Sequence, residues 1–128
     1  MKKGYSVNLE QDTLENENFR KVLFTANHMQ LVLMTVPSGQ DIGLETHQDH
    51  DQFIRIEAGE GKAIISGEEF LLQDGSAVII PSGNEHNIIN TGKDPLRLYT
   101  VYSPAEHSDG TIHVTKAEAE EYEKKHHE

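Results

Sequence analysis

Between Arg20 and Tyr102 the chain is a succession of short apolar runs, and turn residues separate each run from the next. The turns recur every eight to twelve residues or so and contain glycine, proline, asparagine or aspartate, as in Ser66-Gly67 and Asp74-Gly75. Many short strands at such intervals are typical of an antiparallel sandwich or barrel. No helical stripe of competing length interrupts them. The sequence therefore predicts an all-β domain.

The predicted strands cover residues 21–25, 29–36, 53–57, 62–66, 68–72, 77–80, 86–89 and 96–102. The first two are close enough to form a hairpin. In the third, Gln52, Ile54 and Ile56 share one face because strand side chains alternate, and that face should run from a polar mouth into an apolar interior. Arg55 has the opposite parity, so we expect it to face outward beside acidic neighbours.

The two ends of the chain differ from the strand region. Residues 1–19 are polar and rich in asparagine and glutamate, which predicts a loose or partner-dependent arm. Thr115 and Glu118 have the spacing of a capping box, so a short, mostly solvated helix is expected over residues 116–126. No internal repeat or linker divides the chain. We expect one domain, with an arm at 1–19, a barrel at 20–114 and a helical tail at 115–128.

Composition excludes several classes of function. The chain has no cysteine, so disulfides, thiolate metal sites and cysteine nucleophiles are ruled out. Its net charge is −11, without a basic patch, which disfavours nucleic acid and anionic membranes as partners. No apolar run is long enough to span a bilayer, and no apolar stretch follows the first lysines. A cytoplasmic protein without a signal peptide is expected.

Four polar residues form the candidate chemical site. Glu45 and His47 are two residues apart and would share a strand face, Gln52 begins the next strand, and His86 begins a later one. Imidazole, carboxylate and amide oxygen together suit a divalent first-row metal with open positions for a ligand. Gln52 could equally hydrogen-bond an organic ligand. His50, three residues after His47, could replace Gln52 as a ligand or lie at the rim of the pocket.

Other histidines lack ligand spacing. His107 and His113 flank the turn Ser108-Asp109-Gly110. His126 and His127 end a charged helix, so a solvated tail is the expected role for that pair.

The glycine and proline positions strengthen the prediction of a metal site. From Gly39, five residues lead to Glu45, one to His47, four to Gln52 and six to Gly59. From Gly75, five residues lead to Pro81, followed by Gly83, His86 and Asn90 at fixed intervals. These strings resemble the two conserved motifs of the cupin superfamily, over roughly residues 29–103. The resemblance implies a jelly-roll barrel, or double-stranded β-helix, with one metal ion inside.

The residue types match the cupin pattern only in part. The second motif is complete, whereas in the first Glu45 stands where the family has its first histidine and Gln52 where it has its glutamate. The resemblance thus implies a ligand set of Glu45, His47, Gln52 and His86 for manganese, iron, nickel or zinc. An amide oxygen is a weaker donor than a carboxylate, so affinity and metal identity stay open.

Two classes of function remain compatible with the sequence. One is an enzyme in which the metal binds a small oxygen-bearing molecule, with dioxygenase-like or sugar-isomerase-like chemistry. Few cations lie in the core stretch to hold a phosphate, which counts against the isomerase. The other is a non-catalytic module that captures a small ligand. The resemblance also implies a homodimer, with the arm before Arg20 as a plausible exchanged element.

Overall fold

The structure is a computed structural model that describes residues 3–126. In chain order the elements are α1 (Leu9–Glu15), β1 (Arg20–Thr25), β2 (Gln30–Val36), β3 (Asp51–Ala58), β4 (Gly61–Ile65), β5 (Glu68–Leu72), β6 (Ala77–Ile80), β7 (His86–Asn90), β8 (Leu96–Ser103), β9 (Ile112–His113) and α2 (Lys116–His126). All eight predicted strands are present within one or two residues of their expected bounds.

The strands form two antiparallel sheets. The larger has the order β6-β3-β8-β2-β1-β9, and the smaller has the order β5-β4-β7. The predicted hairpin is confirmed, because β1 pairs with β2 from Arg20–Met34 to Thr25–Gln30. β8 lies between β2 and β3, with Tyr102 opposite both Gln30 and Gln52. This is the expected jelly-roll arrangement with a short C-terminal helix.

The core lies between the sheets and follows the alternation of the strands. In β8 every second residue from Leu96 to Tyr102 is buried, while the residues between are only partly covered. The inward face of β3 is also confirmed, since Ile54 and Ile56 are fully buried and Gln52 lies at its polar end. Arg55 points the other way and binds the Glu57 carboxylate at 3.1 Å. The apolar interior therefore ends in polar groups at one end of the barrel.

The N-terminal arm differs from the prediction of a loose segment. Residues 9–15 form α1, and the Asn8 side chain caps it by accepting from the backbone N–H of Gln11. Thr13 on this helix is fully buried. Beyond the helix, the Thr35 hydroxyl donates to the carbonyl of Asn16 at 2.7 Å. A seven-residue helix without an apolar stripe leaves no periodic signal, so polar contacts with the barrel determine its place.

The C-terminal helix begins as the sequence predicted. The Thr115 hydroxyl accepts from the N–H of Glu118 at 3.1 Å, and the Glu118 carboxylate accepts from the N–H of Val114 at 2.9 Å. Ala119 packs the helix onto the core. Lys116 at its first turn donates to the Asp41 carboxylate. Neither helix within residues 3–126 has the length and hydropathy needed to cross a membrane.

Candidate metal centre

Residues 41–50 bring the first candidate ligands to the barrel. The strand expected through Glu45 and His47 is reduced here to two isolated bridges, Asp41 to Ile89 and Glu45 to His86. In the second bridge each residue donates its N–H to the other's carbonyl, at 2.9 and 2.8 Å. The polar loop content of this segment explains the interruption, because few of its residues can pack against a sheet. The bridge still sets Glu45 beside His86.

Glu45, His47 and His86 converge in space. Each offers one ligand atom, and these atoms all lie within 4.8 Å of one another. His47 Nε2 is 3.4 Å from Glu45 Oε1, and the His47 side chain is 11% exposed. Three of the four predicted ligands are thus close enough to bind one ion. Two imidazoles with one carboxylate is a set that catalytic zinc sites use.

The contacts of His86 leave one ring nitrogen available. Its Nδ1 lies 2.9 Å from the carbonyl of Asn84, and a carbonyl can only accept, so Nδ1 carries the proton. The lone pair is then on Nε2, which is buried and has no hydrogen-bond partner within the described chain. Metal-binding histidines are held in this way by a bond from their other nitrogen. His86 therefore fits the ligand role.

Gln52 also presents an unsatisfied atom. Its Nε2 donates to the Thr100 hydroxyl at 3.0 Å. Its Oε1 is buried, and no donor among residues 3–126 reaches it. Gln52 is paired across the sheet with Tyr102, which lies edge-on to His47. Because buried polar groups are normally hydrogen-bonded, this unsatisfied oxygen fits a cation or a ligand group. Its place as the fourth ligand stays a prediction.

A second group lies on the other side of His47. It consists of His47, His50 and Glu106, whose ligand atoms again lie within 4.8 Å of one another. His50 Nε2 is 3.4 Å from Glu106 Oε1, and His47 Nδ1 is 3.7 Å from Glu106 Oε2. His50 is buried rather than exposed at the rim. Sequence reasoning had not singled out Glu106 at all.

The loop that carries Glu106 is held down by Gln30. The Gln30 carboxamide oxygen accepts from the N–H groups of Glu106 and His107, and its nitrogen donates to the carbonyl of His107. His107 consequently packs edge-on against Tyr102, with ring centroids 5.3 Å apart. Its Nε2 is buried without a hydrogen-bond partner in the described residues. His107 thus lies beside the site, although ligand spacing in the sequence had excluded it.

The remaining histidines lie elsewhere. His113 contacts Arg20, with Nδ1 3.2 Å from the guanidinium. His127 and the side chain of His126 are outside the described residues, so the expectation of a solvated tail is left as it stands.

Burial and neighbouring charges shift the pKa values of the ionisable side chains at the centre in different directions. Burial opposes ionisation of Glu45, but the His47 imidazole and the charge of Arg20 hold the pKa of that carboxyl below its usual value. Burial and then the neighbouring His47 lower the pKa of His50. Burial, followed by the charge of Arg20, lowers the pKa of His107 to about 2. Burial opposes the charged form of His47, but the neighbouring Glu45 and then Glu106 raise the pKa of that imidazole, so a cation bound at His47 would displace a proton.

Other motif residues maintain the backbone around the site. Gly59 has φ of +95°, and a methyl group there would approach the carbonyl oxygen of Pro95 to 2.7 Å. Asn90 donates to the carbonyls of Val36 and Asp94 at 2.9 Å and accepts from the N–H of Gly92. Both residues stabilise turns. This role explains their place in the motif and requires no contact with a ligand.

Comparisons with known proteins agree with this geometry. A family model described as "Cupin domain" matches residues 32–102, more than half of the chain. The protein YrkC of Bacillus subtilis is 46% identical over 123 residues, which cover 91% of this chain and 66% of YrkC. The chain thus spans just under two thirds of that relative's length.

Solved structures give the same result. BH2720 from Bacillus halodurans superposes with a TM-score of 0.90 and 41% identity, covering 91% of this chain and 93% of that one. A predicted oxalate decarboxylase from Thermotoga maritima gives a TM-score of 0.57 and 28% identity, over 59% of this chain and 66% of its own. With the jelly-roll fold and a candidate His/Glu metal site in its barrel, the chain belongs to the cupin domain family.

Proposed function

We propose that this protein binds a divalent transition metal through Glu45, His47, Gln52 and His86, and that it binds or transforms a small oxygen-bearing metabolite there. One observation carries the proposal. His47 Nε2, His86 Nε2 and Gln52 Oε1 are all buried without a hydrogen bond inside the described chain, and the two imidazoles converge with the Glu45 carboxylate. Unsatisfied buried donors and acceptors are costly, by about 1–3 kcal/mol each, so their clustering favours a missing partner.

The protein's own groups would orient such a partner. The Asn84 carbonyl fixes the ring of His86, and the Thr100 hydroxyl fixes the amide of Gln52. Tyr102 is 2% exposed and closes the interior behind the imidazoles, lying edge-on to His47 and His50. Burial raises the pKa of Tyr102, which keeps it a neutral phenol. A bound metal would supply Lewis acidity or, as iron, activation of dioxygen.

A non-catalytic binding module is the second candidate, and Gln52 is the observation that favours it. An amide at this position is a weak metal ligand but a good partner for an organic hydroxyl or amine. Dioxygenase-like and isomerase-like chemistry would both produce turnover with metal present, whereas a module would bind its ligand equally well after chelation. We expect the active form to be a homodimer.

Elemental analysis of the purified, tag-free protein tests the proposal. We compare it with a Glu45→Ala, His47→Ala, His86→Ala triple variant after incubation with metal and desalting. The expected result is bound transition metal in the parent and loss of at least one equivalent in the variant. His28→Ala is the matched control, because His28 is exposed and belongs to neither candidate ligand group.

The identity of the metal then directs the next assay. Iron would lead to oxygen-dependent reactions, and zinc, manganese or nickel to Lewis-acid reactions on polyols, keto acids and catechols. Equal metal content in parent and triple variant would contradict the proposed ligands. No metal in a reloaded parent would leave the binding module as the function.

A further inference from the structure

His47, His50 and Glu106 lie close together, but at distances longer than those of strong hydrogen bonds. Charge-assisted hydrogen bonds to a carboxylate span about 2.7–2.9 Å, whereas Glu106 is 3.4 Å from His50 Nε2 and 3.7 Å from His47 Nδ1. Two ligands that are each about 2.1 Å from a tetrahedral zinc ion lie roughly 3.4 Å from one another. The spacing of this group is therefore that of ligands around a cation. The His47–Glu45 contact, also 3.4 Å, has the same character.

The two groups use opposite sides of the His47 ring. Glu45 lies against Nε2, and Glu106 lies against Nδ1. Each nitrogen of an imidazole can bind a separate ion once both have lost their protons. One cation at Nε2 and another at Nδ1 therefore need not compete for the same lone pair.

We infer that the barrel mouth holds a second divalent cation, bound by His50, Glu106 and His47 Nδ1. Its ligand set is again two imidazoles and a carboxylate, which suits zinc or a similar first-row ion. On binding, His47 releases its last ring proton to solvent, and the imidazole then joins the two ions. This inference rests on the proposed function only for the first ion, on the Nε2 side of His47. The second ion has two ligands of its own, His50 and Glu106.

The surroundings of the second group support a built site. The His50 side chain is 6% exposed, and its Nε2 has no hydrogen-bond partner within the described residues. Glu106 comes from a different part of the chain, and Gln30 fixes the backbone at that point. Gln30 is itself fully buried, so the loop position does not depend on a flexible surface contact. Two carboxylates, Glu45 and Glu106, would offset half the charge of two divalent ions, and the deprotonated His47 ring would offset one further unit.

Zinc stoichiometry tests the inference. The full chain carries His126→Gln and His127→Gln so that the terminal pair cannot compete, and it is stripped with chelator and titrated with Zn²⁺ in a calorimeter. We expect two equivalents for this parent. Glu106→Gln and His50→Gln should each bind one, and so should Glu45→Gln, which affects only the other ion. The Glu45→Gln, Glu106→Gln double variant should bind none tightly. His28→Gln is the matched control and should bind two.

The outcomes separate this inference from the proposed function. One equivalent in the parent, kept by Glu106→Gln and lost by Glu45→Gln, would overturn the second ion and leave the first. One equivalent lost by Glu106→Gln but kept by Glu45→Gln would place the single ion at His50 and Glu106, overturning the inference of two ions and contradicting the proposed ligand set. Two equivalents that survive both Glu106→Gln and His50→Gln would place the extra ion elsewhere and overturn the inference. Co²⁺ absorption and thermal melts of each variant confirm that a lost equivalent reflects a lost ligand in a folded protein.

Discussion

Gln52 is the residue on which the character of the centre depends most. Its amide nitrogen donates to the Thr100 hydroxyl, and its buried amide oxygen has no hydrogen-bond partner among residues 3–126. Relative to a carboxylate, this oxygen lacks a formal charge and binds a divalent cation less strongly. The side chain therefore places the weakest candidate donor at the position where the family has its glutamate. A metal held here would exchange or be withdrawn more readily.

Gln52→Glu should strengthen metal binding and weaken the metal-free protein. We expect the dissociation constant for Zn²⁺ at this centre to fall by about tenfold, or about 1.4 kcal/mol. Without metal, a carboxylate at this buried position should lower the melting temperature, because burial opposes the charged form. Calorimetric titration and melting curves with and without chelator measure both effects. Weaker binding by Gln52→Glu would argue that the amide contacts an organic ligand.

At the scale of elements, one ion pair joins the C-terminal helix to the segment that leads to Glu45. Asp41 accepts from Lys116 at the start of α2 and from the Asn87 amide on β7. The bond from Asn87, then the one from Lys116, hold the pKa of Asp41 below its usual 3.8. A lowered pKa in the folded state contributes stability above the unfolded pKa, and that contribution disappears as pH falls through the folded value.

Asp41→Asn should therefore cost stability at neutral pH but not in acid. Asp41 is about one third exposed, so solvent screens the pair and the expected loss is about 0.5–1 kcal/mol at pH 7. The difference between parent and variant should shrink below about pH 4, where the unfolded chain takes up the proton. Urea unfolding of parent and variant at a series of pH values across this range measures the difference in their free energies of unfolding. Glu121→Gln, which removes an exposed pair with Lys125 on the same helix, should change little.

Elements with a repeating pattern were predictable from the sequence, and those without one were not. All eight long strands follow from apolar runs and turn residues, and α2 follows from its capping box. α1 was missed because it has no apolar stripe: its buried residue is Thr13, and Asn16 at its end hydrogen-bonds to Thr35 of the barrel. β9 was missed because two residues carry no alternation.

The residues of the candidate site likewise include some that the sequence predicted and some that it did not. Motif spacing identified Glu45, His47 and His86, which the structure brings together, and it placed Gln52 on the inward face of β3. The side chain of Gln30, 76 and 77 positions earlier in the chain, holds the backbone of Glu106 and His107 at the barrel mouth. A contact of that kind leaves no local pattern. Motif spacing can therefore find candidate ligands such as Glu45 and His86, but not residues on a loop that a distant side chain holds in place.

At the scale of the whole molecule, the homodimer remains a prediction. Light scattering should give twice the 14.4 kDa mass of one chain. Deleting residues 2–18 should reduce that mass if the arm contributes to the dimer, as we expect. The deletion also removes the contacts of Arg97 with the Asn16 carbonyl and the Glu17 carboxylate, so a lower melting temperature should accompany it. An unchanged mass in a folded deletion variant would exclude a role for the arm.

The candidate ligands come from distant stretches of a chain that contains no cysteine. Residues 45–52, 86 and 106 meet at one end of the barrel, so an ion bound by them would cross-link segments about 60 positions apart. In the chain-entropy description, closing loops of that length restricts the unfolded chain in the way a disulfide does. Unlike a disulfide, this cross-link would depend on the concentration of free metal rather than on the redox state. The free metal concentration would therefore set how much the ion stabilises the folded barrel.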